Sequence, residues 1–224
     1  IVGNGITSQF LALRLSKILG NRLAITIIDK EKNDSRTSEY VRSLSVSLST
    51  VNLCKSMGIW ELIEPHTHPI RKIIISHSVS NEEKRSFLNL DNRVNDEVAS
   101  YIIDERVLRK VISEETAKFN NINLIHTNIN DINLGDDLIS IKAQDQILTS
   151  KLVVAGDGRK SIVKKLLKIK SISWDYNQTA LSCLIKHKAN NDNIAIENFL
   201  HTGPIALLPM GKRISSVIWS VQRD

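Results

Sequence analysis

The sequence predicts an α/β fold in two parts, and three observations predict it. The chain opens as strand, turn, helix and strand. Its middle returns to helix between short strands. From residue 174 onward the pattern is strands alone. The 224 residues correspond to roughly one and a half domains of about 150 residues, enough to bury a sizeable core. Hydrophobic residues make up 42% and charged residues 24%, the proportions of a folded globular chain rather than a disordered one. With only 9 Gly and 4 Pro, collagen-like and linker-like compositions are excluded. No apolar run reaches the about 20 residues of a membrane-spanning helix.

Each element follows from its pattern. Ile1 and Val2 read as the end of a buried strand and residues 3–8 as a turn. Ile6, Phe10, Leu11, Leu13, Leu15, Ile18 and Leu19 recur at helical spacing, and Gly20-Asn21 stops the helix. Residues 23–28 form a β-branched run that is apolar on both sides, as a central parallel strand requires. Residues 30–42 are polar and read as a loop. Residues 44–57 give a second helical pattern closed by Gly58. Strand-like pieces follow at residues 73–75, 87–88 and 101–103. Asp104 can cap a helix over residues 105–119 with Val107, Leu108, Val111 and Ile112 inward. Short strands are expected near 122–126, 137–142 and 146–154, then a turn at Gly156-Asp157-Gly158 and a short helix over 161–167. The last strands are expected at 180–187, 194–200, 205–208 and 214–221.

Charge and cysteine content narrow the partners. The formal charge is +6, which favours anionic cofactors or anionic lipid. The lysines are scattered and aromatics are only 4%, without the basic stripe and stacking rings of a nucleic-acid binder. Cys54 and Cys183 lie far apart and read as buried free thiols. His66 and His68 lack further ligands at metal-site spacing, so no metal is expected. Trp60 and Trp174 read as core or interdomain residues.

Gly3-Asn4-Gly5-Ile6-Thr7-Ser8 follows a strand and opens a helix. The first glycine permits a tight turn, and the second lets the backbone approach a pyrophosphate seated on the helix N-terminus. Ser8 stands at the third fingerprint position, where a small residue allows close helix–strand packing. Asp29 ends the second strand, a little beyond the about 20 residues at which an acid is expected to bind a ribose hydroxyl. The three together point to a Rossmann-like dinucleotide site.

Five further segments carry a family resemblance. Residues 42–60, beginning Arg42-Ser-Leu-Ser-Val-Ser-Leu-Ser, resemble the helix of aromatic-ring flavin hydroxylases. Pro65-His-Thr-His-Pro-Ile-Arg71 and Tyr101-Ile-Ile-Asp-Glu-Arg106 resemble the next segments of the ubiquinone-biosynthesis branch. Val153-Val-Ala-Gly-Asp157-Gly158-Arg resembles the group's Asp-Gly motif, and Gly203-Pro-Ile-Ala-Leu-Leu-Pro209 a strand of its substrate domain. In this order they resemble the ubiquinone-biosynthesis FAD-dependent hydroxylases (2-polyprenylphenol or 2-octaprenyl-6-methoxyphenol hydroxylase type), relatives of para-hydroxybenzoate hydroxylase.

The resemblance implies a Rossmann-like FAD/NAD(P)-binding domain over 1–70 and 100–170, and an antiparallel, strand-rich substrate domain over 71–99 and 171–224. It implies FAD as cofactor, NAD(P)H as reductant, and O2 and a polyprenyl phenol as substrates. Gly3, Gly5 and Ser8 would hold the pyrophosphate and Asp29 the adenosine ribose. Arg42 would lie along the FAD, near the diphosphate or the nicotinamide donor. Arg106 would contact the ribityl-phosphate region, and Asp157 and Gly158 would sit by the pyrophosphate. The resemblance also implies a cytoplasmic protein peripheral on the inner face of the membrane, with ubiquinone-biosynthesis partners. No acid–base residue is implied.

A chain opening Ile1-Val2-Gly3 reads as starting a few residues upstream, and no later Gly-Asp motif seats the ribityl chain and flavin ring, so the sequence reads as truncated within the substrate domain. On that reading the chain by itself holds FAD weakly and does not hydroxylate. Two alternatives stay open: another flavin oxidoreductase of this fold, such as an isoprenoid reductase or epoxidase, and a nucleotide-binding remnant without activity. FMN has no adenosine ribose for Asp29 to hold, so titration of the intact protein is expected to show tighter binding of FAD than of FMN. Equal affinities would remove the role given to Asp29.

Overall fold

The computed structural model describes residues 1–30, 42–78, 84–91, 98–144, 146–190 and 193–223. Most of the loop expected over 30–42 lies outside the described residues. The chain divides into two compact units, one of residues 1–38 and 109–173, the other of residues 39–108 and 174–224.

The first unit is a parallel sheet with a helix leading out of its central strand. Helix α1 spans Ile6–Leu19, as its apolar spacing predicts, and ends at Gly20 with φ 55°. Its buried face carries Ser8, Gln9 and Ser16 beside Ala12 and Leu13. Strand β1 (Ile25–Asp29) pairs in parallel with a later strand, Ile122–His126, with Ile25 opposite Ile122 and Asp29 opposite His126. Val2 bridges in parallel to Ile28 on one side and Ala155 on the other. The Val2 N–H donates to the Val154 carbonyl at 2.9 Å, and the Gly156 N–H to the Val2 carbonyl at 2.8 Å. Two-sided burial of Ile27 and Ile28, 1% and 3% exposed, is what the unbroken apolar run of this strand signals.

The second unit begins with a departure from the sequence expectation. Residues 44–57 are not one helix. Strand β2 (Ser43–Ser47) comes first, and helix α2 spans Leu48–Ser56. The segment Ser-Leu-Ser-Val-Ser alternates with period two and pairs antiparallel with Ser100–Asp104. Ser47 then caps the helix by accepting from the Thr50 N–H. After Gly58 comes helix α3 (Trp60–Ile63), with Trp60 buried edge-on against Tyr101 at a ring separation of 5.0 Å. Strands β3 (Thr67–Ile70), β4 (Lys72–Ser78), β5 (Lys84–Asp91) and β6 (Ser100–Asp104) follow. Helix α4 (Glu105–Thr116) opens where Asp104 accepts from the Arg106 N–H at 2.9 Å.

Back in the first unit, β7 is the Ile122–His126 strand, followed by an antiparallel meander of β8 (Ile129–Leu134), β9 (Ile139–Ala143) and β10 (Gln146–Ser150). The sequence reading misses β8. Asn130, Asp131 and Asn133 interrupt its apolar signal, and only Ile132 within it is buried. Helix α5 (Ile162–Leu166) closes the unit, with Ser161 at its N-cap. Val2, Ile28, Ile132, Ile141 and Val163 form its core.

Strands β11 (Gln178–Lys186), β12 (Ile194–Leu200), β13 (Gly203–Gly211) and β14 (Ile214–Gln222) complete the second unit. They join β4 and β5 in a six-stranded sheet of order β11-β14-β13-β12-β4-β5. It is antiparallel except where β12 meets β4. A three-stranded sheet, β2-β6-β3, packs on it through Ile70, Ile102, Ile73, Ala195 and Leu208. A buried Ser43–Ser216 hydroxyl bond of 2.7 Å ties the two sheets. Because residues 43–70 and 100–104 supply that smaller sheet, the division by compactness falls elsewhere than the functional division read from sequence.

Cys54 is buried as expected, and burial pushes its thiol up to about 11 despite a backbone hydrogen bond that works the other way, which makes it inert. Two expectations are corrected. Cys183 is exposed, on β11, whose residues are almost all exposed. Trp174 is likewise exposed, at 70%.

Gly3 sits at φ 95°, and a Cβ there would lie 2.5 Å from the Gly156 carbonyl oxygen. Gly3→Ala is therefore expected to cost at least about 2 kcal/mol of stability in urea unfolding. A Cβ on Gly5 would meet nothing within 4 Å, so Gly5→Ala is expected to stay within about 1 kcal/mol.

Candidate functional site

The turn from Val2 into α1 is held from two sides. The Gly3 N–H donates to the Ile28 carbonyl at 2.7 Å, and the Asn4 N–H donates to Asp29 Oδ2 at 2.8 Å. The Asn4 side chain is buried at 1% exposure, and its Oδ1 accepts from Gln9 Nε2 at 2.8 Å. The acid at the end of β1 thus fixes the backbone of the glycine turn. The sequence reading places Asp29 correctly in the fold but misses this bond.

Behind the turn, Gly156 packs on α1. A Cβ on Gly156 would lie 2.1 Å from Ser8 Oγ, and Ser8 Oγ donates to the Gly156 carbonyl at 3.4 Å. Ser8 is buried at 2% exposure and does not line the cleft in front of the turn. The structure therefore gives it the packing part of the fingerprint and no contact surface for a pyrophosphate.

In front of the turn lies a cleft of about 470 Å³, within the range of small-molecule sites. Gly3, Gly5, Asp29, Asp157 and Gly158 all line it. Gly5 is the N-cap of α1 and no side chain caps the helix, so its first-turn N–H groups and the helix dipole offer an anion site. Lys30 and Lys160 add positive charge to the walls. Asp157 Oδ2 accepts from the Ile162 N–H at 2.6 Å and the Val163 N–H at 3.2 Å, which anchors α5. The other oxygen of Asp157, and the hydroxyl of Thr127 on the cleft wall, are buried without a hydrogen-bond partner. Buried polar atoms left without a partner among the described residues are costly. Thr127 has no signal in the sequence: it follows β7, and its place is fixed by its N–H donating to the Asp29 carbonyl at 3.0 Å.

Arg42 and Arg106 belong to the other compact unit. Arg42 is 74% exposed and pairs with Glu105 at 3.3 Å. Arg106 pairs with Asp104 at 2.6 Å. Burial pushes the Asp104 carboxyl up, but the hydrogen bonds and charge of Arg106 outweigh that and hold it below its ordinary value. Its folded value being depressed, its stabilising contribution is present above the ordinary carboxylate range and lost as pH falls. Among the described residues no group of three or more His, Cys, Asp or Glu is placed to hold a metal ion.

The family model described as FAD binding domain matches residues 1–224. The chain belongs to that family. This FAD-binding chain is 28% identical to the mitochondrial ubiquinone biosynthesis monooxygenase COQ6 of Dictyostelium discoideum, over 98% of its own length and 51% of that protein. It is 26% identical to the ubiquinone hydroxylase UbiL of Rhodospirillum rubrum, over 100% of its own length and 52% of that protein. The chain thus spans about half the length of the curated relatives it matches. The expected likeness to the ubiquinone-biosynthesis hydroxylases is borne out.

Solved structures show the same fold. PqsL of P. aeruginosa, in complex with 2-aminobenzoylacetate, superposes with a TM-score of 0.81 at 16% identity, covering 99% of this chain and 59% of that one. The p-nitrophenol 4-monooxygenase PnpA of Pseudomonas putida gives 0.78 at 16% identity, covering 100% and 57%. The bare Gly5 and the uncapped start of α1 fit the dinucleotide portion of FAD.

Thr127→Val removes a buried hydroxyl that has no partner and keeps the shape. It is expected to leave the free chain as stable as the wild type or more stable by about 1–2 kcal/mol in urea unfolding.

Proposed function

We propose that the protein is an aromatic-ring hydroxylase that uses FAD, NAD(P)H and O2 and acts on a polyprenyl phenol in ubiquinone biosynthesis. One observation carries the reading. The glycine turn, Asp29 and the Gly156-Asp157-Gly158 turn meet at one cleft, in a chain similar over nearly its whole length to ubiquinone hydroxylases.

Bound FAD supplies the electron-transfer and oxygen chemistry. The chain's residues bind and orient it. Backbone N–H groups at the start of α1, approached over Gly3 and Gly5, receive the diphosphate. The Asp29 carboxylate accepts from a ribose hydroxyl while it holds the Asn4 N–H. Asp157 and Gly158 face the diphosphate from the other turn. Arg42 and Arg106 serve the nicotinamide donor and the ribityl-phosphate region, where a phosphate competes with Glu105 and Asp104 for their guanidinium groups.

A polyprenyl phenol resides in a membrane. Among the described residues no helix is long and apolar enough to cross one. Our reading is a cytoplasmic protein in peripheral contact with the inner face of the membrane, where a net charge of +6 favours anionic lipid.

In the intact protein, Asp29→Ala is expected to weaken FAD binding by about ten- to over a hundredfold, the loss of a charge-assisted hydrogen bond. Asp29→Asn keeps an acceptor for Asn4 and separates ligand contact from turn geometry. The activity is tested by incubating intact enzyme with a polyprenyl phenol, NADH or NADPH and isotopically labelled O2. Mass spectrometry is expected to show one labelled oxygen on the ring. An unlabelled ring with oxidised NAD(P)H, or FAD affinity untouched in Asp29→Ala, would contradict the proposal.

A further inference from the structure

We infer that Gln9 is a positioning residue for the adenosine end of FAD: its side-chain amide holds Asn4, and Asn4 holds the Asp29 carboxylate. The inference rests on the FAD reading above and deepens it. Asn4 directly precedes Gly5, the N-cap of α1, and Gln9 is the fourth residue of that helix. Helices often carry an apolar pair at these two places, and its contact fixes the angle at which the chain enters the helix. Here the pair is polar. Gln9 Nε2 donates to Asn4 Oδ1 at 2.8 Å, with Gln9 2% and Asn4 1% exposed.

The bond does something that an apolar contact does not. Asn4 stands between Gly3, at φ 95°, and Gly5, so the backbone on both sides of it has the freedom of glycine. The Asn4 N–H must nevertheless point at Asp29 Oδ2, which it meets at 2.8 Å. A hydrogen bond is directional, so the Gln9 amide fixes the orientation of Asn4 as well as its distance from α1. The pair is kept at a cost: Gln9 Oε1 is buried without a hydrogen-bond partner among the described residues. Two apolar side chains of the same shape would fill the space without that cost. Packing alone therefore does not account for a glutamine at this place.

Asn4 and Asp29 line the cleft, and Gln9 does not. Gln9 therefore acts through the turn. With its amide in place, the Asn4 N–H keeps the Asp29 carboxylate in one orientation at the cleft wall, where the ribose hydroxyl of the proposed cofactor is received. Without the amide, Asn4 swings on its two glycine neighbours and its bond to Asp29 loosens. The carboxylate must then be ordered anew when the ligand arrives, and that ordering is subtracted from binding. The effect falls on a ligand that carries the adenosine ribose and spares one that lacks it.

The test titrates the intact protein with FAD and with FMN, as wild type, Gln9→Met, Asp29→Ala and the double variant. Thermal unfolding of the same samples shows that each is folded. Methionine keeps the length of glutamine and removes the amide. Gln9→Met is expected to bind FAD about three- to tenfold more weakly, the worth of one hydrogen bond. Its FMN affinity is expected to stay within about twofold of wild type. In the Asp29→Ala background the same substitution is expected to change FAD affinity by less than about twofold, because residues that act through one another are not additive. Gln9→Asn, whose amide is one carbon shorter, is expected to follow the same pattern and replaces Gln9→Met if that variant does not fold. Unchanged FAD affinity in Gln9→Met, an equal loss for FAD and FMN, or a full loss repeated in the Asp29→Ala background overturns the positioning role and leaves the FAD reading in place. Wild type that binds neither flavin overturns the FAD reading itself, and this inference with it.

Discussion

The structure of the first unit depends on one close approach of backbones. The chain at Val2 and Gly3 lies between the end of β1 and residues 154–156, hydrogen-bonded to both. There is no room for a side chain at the contact: a Cβ on Gly3 meets the Gly156 carbonyl, and one on Gly156 meets the Ser8 hydroxyl. Ser8 and Gly156, 148 residues apart, define how far α1 stands from the sheet. That spacing aims the uncapped start of α1 into the cleft and puts Asp29 within reach of the Asn4 N–H. The dipole, the bare Gly5 and the acid act on the same space because the two glycines let the strands touch.

Much of this was legible in the sequence. The helical period of residues 6–19, the glycine at its end and the β-branched run after it each have a local physical cause, and each element forms where its cause lies. Asp29 was legible because its distance from the glycine turn is set by one helix and one strand. Local pattern failed where tertiary context decided. The serines of residues 43–47 read as helix by proximity to α2, yet their alternation is satisfied only by a partner strand at residues 100–104. The asparagines of β8 hid a strand that is held by its neighbours in the meander rather than by burial.

The site shows the same division. Residues that must be glycine or acidic for backbone reasons announce themselves. Thr127 does not, because its hydroxyl is ordinary in sequence and becomes unusual only when the fold buries it without a partner. Arg42 and Arg106 are the converse. The resemblance gave them cofactor roles, and the structure shows acidic neighbours already engaged with both.

The first unit is assembled from two stretches of chain with most of the other unit between them. Its parallel pairing of β1 with β7, and the bridge from Val2 to Ala155, close very long loops. Such contacts come with a large loss of chain entropy before they reward it, and they form slowly. On the ribosome, α1 and β1 emerge early with their partners still unmade, and synthesis at about 5–20 residues per second leaves them waiting several seconds for the segment around Gly156. During that interval the apolar run of β1 is an unpaired edge, the kind of surface that chaperones shield. The nucleotide cleft is therefore among the last features of this unit to exist as the chain is made, although its glycine turn is translated long before Gly156.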